Sequence, residues 1–186
     1  MRLASTLVIG LFACAPEPTV QPTEPRAAEP VREAAAPTPA RTIILVRHGE
    51  KQSDDKDAVL SEIGHARARC LAQTLGDAAI THAFTTEFKR TQETLAPLVA
   101  KHELTPTAIP AEQRPDLVAA LRALPPAAIA VVAGHSNTVP DVLVDLGGER
   151  VAFGHDDYDW LFIVSLPAEG PATFLRTHYC VTPASR

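Results

Sequence analysis

The sequence predicts an α/β domain, a three-layer sandwich in which helices cover both faces of a mostly parallel central sheet. Short runs rich in β-branched residues alternate with amphipathic stretches of helical period, a pattern typical of this class. Two of those runs, residues 43–46 and 129–133, end next to a glycine and a histidine. Ligands of open α/β sheets bind beyond the carboxyl ends of such strands, so these two places are the first candidates for a site.

The first half of the domain is predicted to contain two strands and two helices. Residues 42–46 are predicted as a strand that ends just before Arg47, and residues 61–75 as a helix that Ser61 can cap, with Gly76 past its end. The apolar residues of this helix recur at helical spacing: Ile63, Ala66, Cys70, Leu71 and Leu75. Residues 79–85 are strand-like. Residues 89–101 form a second helix, which Pro97 interrupts without necessarily ending it.

The second half repeats the alternation and closes with two strands. Residues 107–109 are predicted as a short strand, residues 116–124 as a short helix, and residues 129–133 as a buried strand. Pro140 stands near the first turn of a helix that reaches Leu146. Residues 161–166 and 172–181 are the last two strands, and their proximity in sequence predicts an antiparallel pair.

The N-terminal part has a different composition from the domain. Residues 1–14 combine a basic start with a short apolar run and read as a secretory signal, and Cys14 after Ala13 resembles the lipobox cysteine of bacterial lipoproteins. An ordinary signal peptide with an incidental Cys14 is the alternative. Residues 15–40 are rich in proline and are predicted to be a disordered tether. The domain then covers residues 41–186, and we expect it outside the cytoplasm, anchored to a bacterial membrane by the N-terminal lipid.

Charge and cysteine content restrict the possible partners. The chain has 17 Lys and Arg against 22 Asp and Glu, a net charge of −5, which gives no support for nucleic-acid binding. Cys70 and Cys180 remain once Cys14 is set aside. They could pair in an exported domain, or they could be two buried free thiols. The sequence gives no indication of the oligomeric state.

Three segments carry residues suited to an anion site. They are Arg47-His48-Gly49, the segment of residues 85–94 that contains Arg90, and Gly134-His135-Ser136-Asn137. Because carboxyl ends of parallel strands share one edge of a sheet, two arginines and two histidines are expected to converge there. The competing interpretation of the first segment is a surface arginine followed by a histidine in a turn.

Together these motifs resemble the histidine phosphatase superfamily, the group related to cofactor-dependent phosphoglycerate mutase. Leu60-Ser61-Glu62-Ile63-Gly64 is similar to the segment that opens the first helix of that family, and the resemblance extends over about residues 42–179. It implies a phosphoglycerate mutase-like fold and a nucleophile, His48, that becomes a transient phosphohistidine. It also implies that Arg47, Arg90 and His135 hold the phosphoryl group, with His135 most useful when protonated. Asn137 is a further candidate for substrate binding, and no metal or cofactor is implied.

The general acid is less clear than the nucleophile. Glu112 lies near the place where larger family members carry a glutamate, but the surrounding motif is missing. Its rivals are Asp57, Asp116, Asp159 and Glu50, and a solvated surface charge is the alternative for each.

Other polar residues receive structural interpretations. His65, His82 and His102 fall on predicted helices or strands, and Trp160 is assigned to the core. Residues 155–157 resemble a metal-binding fragment without a spaced partner. Surface positions are predicted for four basic residues, two of which (the lysines) could also line the mouth of a pocket: Arg67, Arg69, Lys51 and Lys89.

The function predicted from these observations is that of a metal-independent phosphohydrolase, either a phosphomonoesterase or a phosphohistidine phosphatase. Its partners would be a small phosphorylated substrate or a phosphoprotein. The alternative is a lipoprotein of the same fold that binds phosphate or a phosphorylated ligand without turnover.

Overall fold

A computed structural model describes residues 38–180. The predicted signal peptide, its Cys14 and nearly all of the proline-rich tether lie outside the described residues, as do residues 181–186. Within residues 38–180, no helix is both long and apolar enough to cross a membrane.

Six strands form one sheet in the order β3-β2-β4-β1-β5-β6. The first four of these run parallel to one another, while β5 is antiparallel to β1 and β6 is antiparallel to β5. The predicted antiparallel pair at the end of the chain is therefore present. The strands are β1 (Arg41–Arg47), β2 (His82–Thr85), β3 (Thr107–Ala108), β4 (Ile129–Gly134), β5 (Trp160–Leu166) and β6 (Thr173–His178).

Four helices complete the domain: α1 (Glu62–Thr74), α2 (Lys89–Lys101), α3 (Arg114–Ala123) and α4 (Thr138–Asp145). One apolar cluster joins α1 and α2 to the sheet through Leu71, Leu95 and Leu98, and a second joins α3 and α4 through Leu121 and Val142. The two clusters lie on opposite faces of the sheet, so the predicted three-layer architecture is confirmed.

Successive side chains of β1 point to opposite faces of the sheet, so this strand contributes to both apolar clusters. Ile43 and Leu45 belong to the cluster under α3 and α4, whereas Ile44 and Val46 belong to the cluster under α1 and α2. All four are buried, as expected for a central strand covered on both sides. Burying such side chains stabilises the domain by roughly 1.5–3 kcal/mol each.

Helix α1 begins as predicted, but its buried face differs from the predicted one. The Ser61 side chain accepts a hydrogen bond from the backbone N–H of Gly64 at 3.1 Å and so caps the helix. Ile63 is 60% exposed, so its assignment to the apolar face is wrong. The buried positions are instead Gly64, Arg67, Ala68, Leu71 and Ala72, which repeat at the spacing of one helix face.

Arg67 lies on that buried face and is 4% exposed, so its interpretation as a surface charge is wrong.

The predicted second helix is confirmed, because Pro97 lies inside α2, which is continuous. Trp160 is partly buried and packs against the apolar cluster under α3 and α4, where its ring stacks on that of Phe162.

Cys70 and Cys180 form a disulfide, which settles the choice that their sequence positions left open. Their Cα atoms are 6.1 Å apart, and the bond joins α1 to the segment that follows β6. The two cysteines are separated by 110 residues, so the cross-link closes a loop that contains most of the sheet.

Candidate active site

The site lies at the edge of the sheet where β1, β2 and β4 end. In the register of β1 and β4, Arg47 stands opposite Gly134, so His48 and His135 are the next residues on two neighbouring strands. The backbone N–H of His48 donates to the carbonyl of Gly134 at 2.9 Å. The centroids of the two imidazole rings are 5.3 Å apart. The structure thus brings together the two histidines that the sequence singled out.

His48 is buried and has a fixed tautomer. Its Nδ1 atom lies 2.7 Å from the carbonyl oxygen of Gly49, so Nδ1 carries the proton and Nε2 keeps its lone pair. Burial lowers the pKa of His48 to about 3, and the neighbouring His135, Arg47 and Arg90 act in the same direction. The imidazole is therefore neutral near pH 7, as a nucleophile must be.

The turn that follows His48 is held by hydrogen bonds from α2. The N–H of Gly49 donates to Oγ1 of Thr94 at 2.9 Å, and that hydroxyl donates to the carbonyl of Arg90 at 2.6 Å. Gly49 also approaches α1 closely, because a Cβ atom there would lie 3.0 Å from the carbonyl oxygen of Gly64. A Cβ at Gly64 would collide with the carbonyl of Glu50. Both glycines therefore allow the turn to pack directly on α1.

Arg47 is anchored on one side of its guanidinium. Nη1 donates to the carbonyls of Gly154, His155 and Asp157 at 3.2, 3.0 and 3.3 Å. The guanidinium also lies on the ring of Tyr158. The Nε atom of Arg47 is buried and has no hydrogen-bond partner within the described part of the chain. Such an orphaned donor indicates a place where a ligand supplies the acceptor.

Arg90, the second residue of α2, reaches the same edge from the other side. Its Nη1 atom donates to the carbonyl of Lys56 at 2.8 Å, and its guanidinium lies 4.3 Å from the ring centroid of Phe88. Nη2 lies 3.4 Å from Nδ1 of His135, and Nε is buried without a partner among residues 38–180. Both arginines are thus held by backbone carbonyls and keep a further N–H donor for an anion.

His135 is neutral, which differs from the protonated state expected to be most useful. Burial lowers its pKa to about 4, and the charge of Arg90 acts in the same direction. Its Nε2 atom lies 3.1 Å from Oγ1 of Thr86, and its ring makes an edge contact with that of Phe88. An anion bound between the arginines would offset their charge and favour the protonated form.

Three of the rival carboxylates are engaged in other interactions. Glu50 forms an ion pair with Arg67, and Asp159 is 3% exposed and lies 3.1 Å from Nδ1 of His178. Asp57 accepts a hydrogen bond from the backbone N–H of Lys89 at 3.0 Å, at the start of α2. Glu50 and Asp159 are thus not the solvated charges of the alternative interpretation.

The remaining acid candidates lie in and beside the loop before α3. Glu112 is exposed in the turn that precedes this helix, and Asp116 is exposed in its first turn. Sequence reasoning overlooked Glu87, whose carboxylate accepts a hydrogen bond from the N–H of Ala111 at 2.8 Å. Its position in the same segment as Arg90 was the available signal.

The other predicted residues surround the site. Asn137 is exposed at the N-terminus of α4, two residues after His135. Lys51 pairs with Asp54 at 3.2 Å, and Lys89 pairs with Asp57 at 3.3 Å. Among residues 38–180 no group of three or more His, Cys, Asp or Glu side chains is placed to hold a metal ion.

A groove of about 330 Å³ lies beside Tyr158, whose ring contacts Arg47. Its other walls come from two loops, residues 50–54 and 155–156. Tyr158 was not predicted as a site residue, because nothing near it in the chain indicates its contact with Arg47. Thr86 lies in the same candidate segment as Arg90, but only the fold shows that it contacts His135.

Comparison with known proteins agrees with this geometry. Residues 43–118 match the model of the histidine phosphatase superfamily (branch 1), a segment that contains Arg47, His48 and Arg90. The chain matches none of the curated proteins with which it was compared.

Several solved structures share the fold. The protein histidine phosphatase SixA in complex with tungstate is 21% identical, with a TM-score of 0.63 over 74% of this chain and 96% of that one. A mycobacterial glucosyl-3-phosphoglycerate phosphatase is 13% identical, with a TM-score of 0.57 over 75% and 98%. Phosphoglycerate mutase from Plasmodium falciparum is 15% identical, with a TM-score of 0.54 over 74% and 89%. Residues 43–118 are thus similar to the histidine phosphatase superfamily, and the chain shares the fold of these solved structures.

Proposed function

We propose that this protein is a phosphatase that works through a phosphohistidine on His48 and needs no metal. The match of residues 43–118 to the histidine phosphatase superfamily supports the phosphatase activity. One observation carries the mechanism: the Nδ1 atom of His48 is bound to the carbonyl of Gly49, so Nε2 is the nucleophilic nitrogen. This nitrogen belongs to a neutral ring beside two arginines whose Nε donors have no hydrogen-bond partner among residues 38–180.

The proposed reaction has two displacements at phosphorus. Nε2 of His48 attacks in line, the N–P bond forms, and the bond from phosphorus to the leaving group breaks. Water then attacks the phosphohistidine, the N–P bond breaks, and inorganic phosphate leaves. Arg47 and Arg90 stabilise the equatorial oxygens in both steps, and His135 supplies a further contact.

The leaving group is the part of the substrate that the site constrains least. Glu112 is exposed, and Glu50, Asp57 and Asp159 are bound to other residues. Leaving groups that need little help from an acid, such as the imidazole of a phosphohistidine or an aryl oxygen, are therefore the proposed substrates. The resemblance in fold to a protein histidine phosphatase supports the first of these.

A labelling experiment tests the nucleophile. Enzyme that is mixed with ³²P-labelled phosphodonor and quenched should carry a label that is stable to alkali and labile to acid. The label should be absent from His48→Ala and present in His65→Ala, whose histidine is exposed on α1. Full turnover by His48→Ala would refute the assignment, and loss of activity in the presence of a chelator would refute the metal-independent mechanism.

A second candidate function is binding without turnover. This candidate is favoured because none of the described carboxylates is identified as the general acid. Titration with phosphate and phosphohistidine peptide, alongside hydrolysis assays on aryl phosphates, sugar phosphates, nucleotides and the same peptide, separates the two functions. Binding with no hydrolysis across this panel would favour the binding module.

We also propose that the domain is exported and anchored through a lipid on Cys14. The disulfide between Cys70 and Cys180 supports this, since such bonds persist in oxidising compartments. Mass spectrometry of the mature N-terminus tests it. An unmodified Cys14, or cleavage at another position, would overturn the proposal.

A further inference from the structure

A buried ion pair lies directly behind the turn that carries His48. The Nε atom of Arg67 is 2.9 and 3.1 Å from the two carboxylate oxygens of Glu50, and Nη2 is 2.5 Å from Oε1. The side chain of Arg67 is 3% exposed and that of Glu50 is 21% exposed. A buried pair with this two-pronged geometry fixes both partners more firmly than a surface pair does.

The same arginine is connected to the disulfide. Nη1 of Arg67 donates to the carbonyl of Cys180 at 3.4 Å, and Cys180 is bonded to Cys70, three residues after Arg67 on α1. Cys180 has a φ of 53°, a left-handed backbone conformation that residues other than glycine rarely adopt. The disulfide therefore joins Cys180 to α1 next to the arginine that donates to its carbonyl.

We infer that Arg67 is a positioning residue for His48 and that the Cys70–Cys180 disulfide keeps it in place, so that opening the disulfide lowers turnover. This inference rests on the proposed phosphatase function. The link to the nucleophile is short, because Glu50 directly follows Gly49, whose carbonyl fixes the ring of His48. The carbonyl of Glu50 also accepts a hydrogen bond from the N–H of Ser61 at 2.8 Å, at the cap of α1.

The anion-binding arginines depend on other supports. Arg47 is held by the carbonyls of residues 154, 155 and 157, and Arg90 by the carbonyl of Lys56. Loosening the pair between Arg67 and Glu50 therefore disturbs the orientation of the nucleophile more than the affinity for an oxyanion. The signature of this role is a fall in kcat with little change in KM or in anion affinity.

Opening the disulfide is a balanced two-electron exchange. A dithiol reductant supplies two electrons and two protons, its own sulfurs form a disulfide, and Cys70 and Cys180 become thiols. Both cysteines are partly exposed, so a reductant can reach the bond.

The first test compares two arginines on the same helix. In the full-length chain, Arg67→Ala should lower kcat on an aryl phosphate by roughly 10- to 100-fold, because small misplacements of a reacting group have effects of this size. KM and the Kd for tungstate should stay within about twofold. Arg69→Ala is the matched control, since Arg69 is exposed, and it should behave as wild type. Arg67→Lys keeps the charge and should recover part of the loss.

The second test uses the native sequence. Wild-type protein that is reduced with dithiothreitol, and shown by thermal unfolding to stay folded at the assay temperature, should lose kcat while it still binds tungstate. The double variant Cys70→Ser/Cys180→Ser should be slow in both conditions and should not respond to the reductant. This variant also tests the inference if wild-type protein resists reduction.

The two proposals fail in different ways. Oxidised wild-type protein that binds tungstate but hydrolyses no phosphate, and carries no label on His48, would overturn the phosphatase proposal. An active wild type whose kcat is unchanged by Arg67→Ala and by removal of the disulfide would overturn the positioning role alone. Equal losses of kcat and tungstate affinity in folded Arg67→Ala would also overturn it, because they would indicate general damage to the site.

Discussion

The guanidinium carbon of Arg47 lies 3.9 Å from the centroid of the Tyr158 ring. With three backbone carbonyls on Nη1, this contact fixes the arginine before any ligand arrives. A donor that is already oriented loses little freedom when it binds an oxyanion, and donors of this kind contribute most to catalysis. The side chain of Arg47 is therefore held in place by contacts within the protein itself.

Replacement of Arg47 by lysine should show the value of that orientation. Lysine keeps the charge but loses the planar fork and the stacking contact. We expect kcat/KM to fall by roughly 10²- to 10³-fold, corresponding to about 2.7–4 kcal/mol in the barrier. Tyr158→Leu removes only the aromatic ring under Arg47 and should raise the activation barrier by about 0.5–2 kcal/mol. Steady-state kinetics on an aryl phosphate checks both. Arg122→Lys, on α3, is the control, and a larger effect for Tyr158→Leu than for Arg47→Lys would contradict the ranking.

Thr94 should matter to turnover although it lies outside the anion site. Thr94→Val keeps the shape of the side chain but leaves the N–H of Gly49 without its acceptor. An unsatisfied buried donor costs about 1–3 kcal/mol, and we expect this loss in the free energy of unfolding together with a lower kcat. Urea denaturation and steady-state kinetics measure the two effects. Thr173→Val, at an exposed position on β6, should change neither, and wild-type stability in Thr94→Val would disprove the support proposed for the turn.

The two buried histidines should make the fold sensitive to acid. Their pKa values in the folded protein are about 3 and about 4, below the ordinary value of 6.5. Below pH 6.5 the unfolded chain therefore binds protons that the folded protein does not. The stability that is present above pH 6.5 should be lost as the pH falls toward 4, by up to about 1.4 kcal/mol per pH unit for each histidine.

Urea unfolding between pH 7.5 and pH 4.5, in buffers without phosphate, measures this loss. The double variant His48→Asn/His135→Asn should show a shallower pH dependence than wild type. His65→Asn is the matched control and should keep the wild-type slope, since His65 is exposed. Identical slopes for wild type and the double variant would show that other groups cause the acid sensitivity.

Reduction of the disulfide should also lower global stability. Closing a loop of 110 residues restricts the unfolded chain, and a loop of about 100 residues corresponds to as much as roughly 4.7 kcal/mol. We expect the free energy of unfolding to fall by about 2–5 kcal/mol when the bond is reduced. Denaturation with and without a phosphine reductant measures the change, and Cys70→Ala/Cys180→Ala should show no response. If the reductant also lowered the free energy of unfolding of that variant, the disulfide could not be the cause of the change.

The architecture could be predicted from the sequence because continuous apolar runs, typical of buried strands, alternate with amphipathic stretches of helical period. The runs at residues 43–46 and 129–133 are long enough to place β1 and β4, and their shared direction places His48 beside His135. The cap at Ser61 and the interior Pro97 were also predictable, because both depend on neighbours within one turn of the helix.

Arg67 shows what the pattern could not reveal. An arginine among other basic residues on a helix usually faces solvent, and its carboxylate partner Glu50 is 17 residues away in the sequence. Only the fold brings the two together. The disulfide between Cys70 and Cys180 also joins segments that are distant in the sequence. The neutral state of His135 depends on its burial and on the charge of Arg90, which lies in another segment.

The position of Cys180 has a consequence for the order of biosynthesis. The ribosome makes His48, Arg90 and His135 before it reaches β6, and Cys180 emerges only after that strand. During synthesis the chain therefore carries His48, Arg90 and His135 before the cross-link can form. If the disulfide supports the nucleophile as inferred, the site reaches its final geometry only after β6 has been made and an oxidant has joined the two cysteines.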